Sequence, residues 1–226
     1  MKIAIFDFDG TLFQKETLPF IVKYYSKKNY SKGKLIRFYI KVIALTIKYK
    51  LKLDSTLDKE KYRSIASKIF MYLFEDMHKD EIVKFFSDCT TEIIKHFNPA
   101  VLECIRNKRA ENYHIVICSG ANTLILNEVA NHVEFDTVIG TELYFLKNGF
   151  YDYDAEIIIT TGKNKPSALL ERFKNIDIDW ENSYAYGDSY YDYDIMNLTG
   201  NPIAVNPDDG LRQVAMENDW VILGEE

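Results

Sequence analysis

Apolar residues fall in short unbroken runs that end on an acid, a serine or a glycine. "KIAIF" (2–6) stops at Asp7, "YHIVIC" (113–118) at Ser119-Gly120, and "SYAY" (183–186) at Gly187-Asp188. "PIAV" (202–205) stops at Asn206-Pro207, and "DWVIL" (219–223) supplies a last run. Runs this short without alternation fit strands buried on both faces. Between them, residues 99–111, 121–132, 166–174 and 208–217 carry helical spacing. Strands alternating with helices predict an α/β fold, a parallel sheet with helices on both faces. Ligands of such sheets bind at the carboxyl ends of the strands, so Asp7, Ser119 and Asp188 are expected on one edge. Residues 14–97 break the alternation and read as helices almost throughout, an insert after the first strand. The stretch 138–159 predicts a strand, a hairpin turning at Lys147-Asn148-Gly149, and a second strand.

Composition narrows the class without changing this outline. The 226 residues suit one large domain, or one domain carrying an insert. Cys89, Cys104 and Cys118 are odd in number and widely spaced, so neither a disulfide framework nor a zinc site is expected. The start "MKIAIFDFDG" has too few apolar residues for a signal-peptide core, no run is long enough to span a bilayer, and the cytoplasm is the expected location. No nucleic-acid module is recognised, so no nucleic-acid partner is expected.

Charge adds one asymmetry. Ten of the 28 basic residues lie within residues 17–53, a span without an acid, and the rest of the chain carries 18 basic against 34 acidic residues. Over residues 34–51, Lys34, Arg37, Lys41 and Lys48 follow steps of three and four with apolar residues between them. Two outcomes are open: the helix packs into the insert with this stripe outward, or it lies on an anionic membrane.

"FDFDGTL" (6–12) carries the sharpest chemistry. In an extended segment Asp7 and Asp9 point the same way while Phe8 turns inward. Two carboxylates on one edge repel unless a cation or a shared proton relieves them. A calcium loop does not fit, because Thr11 and Leu12 stand where a ligand and a glycine are needed and a strand precedes.

Asp-x-Asp-Gly-Thr after a first strand resembles the haloacid dehalogenase superfamily. "VICSG" with Ser119, "GKNKPSALL" with Lys165 and "YGDSYYDYDIM" with Asp188 and Asp192 resemble its other motifs, in order. The resemblance implies a Rossmann-like core over 1–13 and 98–226 with an all-helical cap over 14–97. It implies a Mg2+-dependent phosphatase in which Asp7 attacks phosphorus and Asp9 moves the proton. Asp7, the Asp9 carbonyl and Asp188 would hold Mg2+, while Thr11, Ser119 and Gly120 would bind phosphoryl oxygens. Lys165 would offset the charge; Lys163 competes for that role, but the spacing to Leu169 favours Lys165. Singly, each motif has a plainer account: Ser119 as a helix cap, the lysines as surface residues, and Ser189 with Asp192 as a capping box.

The insert lies between Thr11 and Ser119, which 107 residues separate, as in the phosphoserine-phosphatase-like branch. Glu16 then falls where that branch reads a substrate ammonium, or it simply begins a helix. The expected partner is a small phosphorylated substrate. A lipid-phosphate phosphatase with residues 34–51 on the membrane is the second enzyme reading. A non-catalytic phosphate-binding regulatory protein is the third. Of the crowded acids near the last motif, Asp188 is expected on the metal, Asp192 beside Lys165, and Asp194 in solvent.

Overall fold

The computed structural model describes residues 1–28 and 30–224. Among them a six-stranded parallel sheet is built from β1 (Ile3–Phe6), β2 (His114–Asn122), β3 (Thr137–Thr141), β4 (Tyr184–Gly187), β5 (Asn201–Val205) and β6 (Val221–Leu223), in the order β3-β2-β1-β4-β5-β6. The order reverses direction at β1, so the crevice between the ends of β1 and β4 is the switch point where such sheets bind ligands.

The unbroken apolar runs are explained by burial on both faces. Ala4, Phe6, Ile115, Ile117 and Tyr186 face one apolar cluster. Ile3, Ile5, Val116, Cys118 and Ala185 face the other. Neither face meets water, so no polar position alternates with the apolar ones.

The insert forms α1 (Thr17–Lys27), α2 (Lys32–Lys50), α3 (Lys59–Met71) and α4 (Lys79–Ile93). Its Ile21, Tyr25, Phe74 and Phe85 belong to the same cluster as β1 and β2. The remaining helices are α5 (Pro99–Ala110), α6 (Thr123–Ala130), α7 (Asn164–Arg172), α8 (Tyr193–Met196) and α9 (Asp209–Glu217). α4 packs on α6, so insert and core share one apolar interior.

Three expectations need correction. The second strand expected near residue 159 does not form; 156–161 is irregular, and the hairpin is a single antiparallel bridge, Phe145 to Tyr151. Its turn does fall at Gly149, whose φ of 85° suits glycine. Tyr151 N–H donates to the Met77 carbonyl at 2.9 Å, and the hairpin's pairing capacity goes to the insert instead of to a longer ladder. The run ending at Cys118 continues irregularly to Asn122, which caps α6 in place of Ser119. The basic stripe of α2 does not face outward as a whole. Lys34 donates to the Glu75 carbonyl, Arg37 to the Tyr72 hydroxyl at 3.2 Å, and the Lys41 ammonium lies 4.0 Å from the Tyr72 ring centre.

Candidate active site

The loop leaving β1 brings the acids together. The Asp7 N–H donates to the Tyr186 carbonyl at 2.9 Å, continuing the β1–β4 pairing by one residue. Phe8 is fully buried and stacks on Phe13, 5.5 Å between centroids, which turns its two acidic neighbours the other way. Gly10 takes a φ of 78° and donates to the Phe13 carbonyl at 2.8 Å, closing the loop. A β-carbon there would lie 2.1 Å from Asp188 Oδ2. Gly10→Ala therefore combines backbone strain with a collision against Asp188. A stability loss of about 1–3 kcal/mol is expected. A variant unchanged in melting temperature contradicts this account of the loop.

Lys165, in the first turn of α7, is 4% exposed and bridges two carboxylates: its Nζ is 2.5 Å from Asp7 Oδ1 and 2.5 Å from Asp192 Oδ1. Lys163 is exposed, so the structure brings Lys165 and not its neighbour to Asp7. Burial would lower the Lys165 ammonium, but Asp192 and Asp7 outweigh it and hold it above the ordinary lysine range. Asp192 is engaged at both oxygens, since Oδ2 accepts from the Ser189 N–H and hydroxyl at 3.2 Å each. The expected capping box is formed as well. Asp192 thus places Lys165, as expected, while also lining the cavity.

Asp188 follows directly on β4, with Oδ1 accepting from the Thr11 hydroxyl at 3.3 Å. Thr11 is fully buried, is not part of the cavity wall, and supports Asp188. Asp9 turns its carboxylate to the start of α1: Oδ1 accepts from the Thr17 N–H at 2.9 Å and from the Thr17 hydroxyl. α1 lacks a side-chain cap of its own, and Asp9 satisfies an orphan amide there from outside the helix. Thr17 was not singled out by any sequence spacing; the weak cap at Glu16 is the only hint.

Electrostatics follow burial. Desolvation lifts Asp7 to about 7 against the pull of Lys165. It lifts Asp9 to about 8, with Thr17 opposing. Asp188 rises to about 9 through burial, then through Asp7 and Asp192. Carboxyls this reluctant to ionise are what a nearby cation would correct.

Carboxylate oxygens of Asp7, Asp188 and Asp192 lie within 4.8 Å of one another. With Asp192 committed to Lys165, Asp7 and Asp188 are the side chains left to hold an ion. Asp9 holds Thr17 through Oδ1 and does not belong to the group of acids that could hold an ion. An all-oxygen donor set fits Mg2+.

These groups floor a cavity of about 400 Å³. Ser119 Oγ accepts from the Ala121 N–H at 3.1 Å, which leaves its own proton to donate into the cavity. Gly120 and Glu16 also line it, Glu16 from an exposed position. Arg63 of α3 lines the opposite wall with its guanidinium 4.3 Å from the Tyr191 ring centre, tying insert to core. Arg63 and the cavity-lining Asn122 were not picked out by the sequence, because neither belongs to a motif.

Fold and site together define an α/β enzyme core whose acids and one buried lysine meet at the carboxyl edge of a parallel sheet. The family model of haloacid dehalogenase-like hydrolases matches residues 4–197, and the chain belongs to that family. A histidinol-phosphatase of Neisseria meningitidis serogroup C (strain 8013) is 27% identical over 150 residues, covering 64% of this chain and 67% of that protein. Among solved structures, a protein of unknown function from Bordetella pertussis Tohama I matches with a TM-score of 0.82 at 18% identity, over 99% of this chain and 98% of that one. A phosphoserine phosphatase solved as a phospho-aspartyl intermediate analogue matches with a TM-score of 0.63 at 19% identity, over 100% and 93%. At these identities the solved structures establish the fold.

Proposed function

We propose that this chain is a Mg2+-dependent phosphatase that hydrolyses a small phosphomonoester through an aspartyl phosphate on Asp7. The observation that carries the reading is the Asp7–Lys165–Asp192 chain at the sheet's switch point, with Asp188 beside it. Lys165 holds Asp7 by Oδ1 and fixes its aim toward the cavity. An Asp7 oxygen attacks phosphorus, the P–O bond to the leaving group breaks, and Asp9 gives its proton to the departing oxygen. Asp9 then takes a proton from water, whose oxygen attacks phosphorus and frees Asp7 and inorganic phosphate. A carboxyl lifted to about 8 carries a proton at neutral pH, which suits Asp9 to the first step. Both Thr17 bonds fall on Asp9 Oδ1, so Thr17 sets the angle at which the other oxygen meets the leaving group. Ser119 and the Gly120 amide, which line the cavity, would donate to phosphoryl oxygens. When bound by Asp7, Asp188 and the Asp9 carbonyl, Mg2+ would neutralise the charge that otherwise repels a carboxylate from a phosphate.

Glu16 at the cavity wall favours a substrate with an ammonium group, and the histidinol-phosphatase relative and the phosphoserine phosphatase fold agree with a small phosphorylated metabolite. The intact set of Asp7, Asp9, Lys165 and Asp188 counts against a non-catalytic phosphate binder. Hydrolysis of p-nitrophenyl phosphate with Mg2+ tests the reading; a chain inert toward it and toward a panel of phosphorylated metabolites would sink it. Asp188→Asn is expected to raise the Mg2+ concentration needed for half-maximal activity at least about tenfold. Asp194, exposed on α8, should tolerate asparagine with little change. Equal effects at the two positions would undo the division between them.

A further inference from the structure

α2 is apolar on two opposite sides, and the insert uses only one. Phe38 and Leu45 are buried on the inner side, where α2 meets α3 and the turn at 72–74. On the outer side Ile36, Ile40, Ile43 and Ile47 recur at steps of three and four, each between 50% and 61% exposed. Leu51 extends the row at 64%, and Tyr39 adjoins it. Single exposed apolar residues are ordinary, but an aligned row along a whole helix marks an interaction surface.

Charge says what kind. Residues 17–53 carry ten basic residues and no acid. Lys32, Lys50 and Lys52 are exposed at the two ends of the row, and Lys34, Arg37, Lys41 and Lys48 run along its flank. No helix among the described residues is long and apolar enough to cross a membrane. We propose that the outer face of α2 docks the protein on an anionic lipid surface, lying in the plane of the interface with Lys32, Lys50 and Lys52 among the headgroups. This is the arrangement of interfacial helices, apolar residues at the acyl boundary and cations toward anionic lipid. A second copy of the chain is the poorer occupant, because joining the face to itself would press two acid-free basic spans together.

The contacts of Lys34, Arg37 and Lys41 with the 72–75 turn fasten α2 to the insert, so the docked helix carries the rest of the molecule with it. No residue of α2 lines the cavity, whereas Arg63 and Met71 of α3 do, so docking through α2 covers no part of the cavity lining. The inference does not depend on the catalytic reading, and its test does not read turnover.

The purified chain is sedimented with vesicles of phosphatidylcholine alone and of phosphatidylcholine mixed with phosphatidylglycerol. Co-sedimentation with the anionic vesicles, weakened by added salt, is expected. The double variant Ile40→Glu with Ile43→Glu should bind them at least about tenfold more weakly, while keeping its melting temperature and p-nitrophenyl phosphate hydrolysis. Absence of binding to either vesicle overturns the proposal, as does equal binding to both or equal binding by variant and parent. A parent that elutes as a dimer which the variant dissociates also overturns it, since the face then belongs to a second copy.

Discussion

Asp7→Asn is expected to abolish turnover while leaving the fold intact. Asparagine keeps the shape of the side chain but has no anionic oxygen to attack phosphorus, and the loss should be at least about 10⁴-fold in kcat. It also removes one of the two carboxylates that pair with Lys165, yet Asp192 still holds that ammonium at 2.5 Å. Stability should therefore change little compared with activity. Far-ultraviolet circular dichroism and a melting curve check the first half, and stopped assays with p-nitrophenyl phosphate the second. Residual turnover within an order of magnitude of the parent would remove Asp7 from the chemistry.

Lys165→Met carries the other large effect, and here it falls on stability too. The methionine fills similar space but leaves Asp7 and Asp192 facing each other in a buried site with no cation between them. Removing one partner of a buried ion pair costs about 3–5 kcal/mol. For a chain of this size that corresponds to a melting temperature lower by roughly 6–20 °C. The pH dependence has a definite sign. Asp7 already sits near 7 in the fold, far above the 3.8 of an unperturbed carboxyl, and loss of Lys165 moves it higher still. A carboxyl whose folded pKa is raised costs stability as pH climbs above its unfolded value of 3.8, and the cost is full once pH exceeds the folded pKa. Relative to the parent, the part of the deficit that Asp7 carries should thus be full in alkaline buffer, above the variant's raised pKa, and shrink as pH falls toward about 7. Adding Asp192→Asn should recover part of it, by removing one of the stranded charges. A pH-independent deficit, or no deficit, would mean that Lys165 is not the pivot described.

The sequence carried the sheet and its acids well, for physical reasons. β1, β2 and β4 are buried on both faces, so their runs are unbroken, and the residues that stop them are the ones that line the edge. Asp7, Asp9, Ser119, Lys165 and Asp188 were legible because fixed spacings at strand ends and helix starts placed them. What was not legible depended on contacts between distant segments. Thr17 reaches Asp9 only because the 8–13 loop folds back on itself. Thr11 serves Asp188, 177 residues away, a pairing no local spacing reports. Arg63 comes to the cavity through the packing of α3. The α2 stripe misled for a related reason: a helix apolar on two sides does not declare which side the protein will cover, and the turn at 72–75 drew the basic flank toward itself. The hairpin at 144–152 kept its glycine turn but lost its second strand to pairing with the insert.

The central claim is that Asp7 is phosphorylated during turnover. It is tested by mixing the protein with Mg2+ and an excess of a phosphomonoester that it turns over, quenching in acid, and weighing the peptide that contains Asp7. One phosphoryl group on that peptide is expected, increased in Asp9→Ala, where water is no longer activated, and absent in Asp7→Asn. Steady turnover with no phosphoryl group on the peptide, undiminished in Asp7→Asn, would contradict the account.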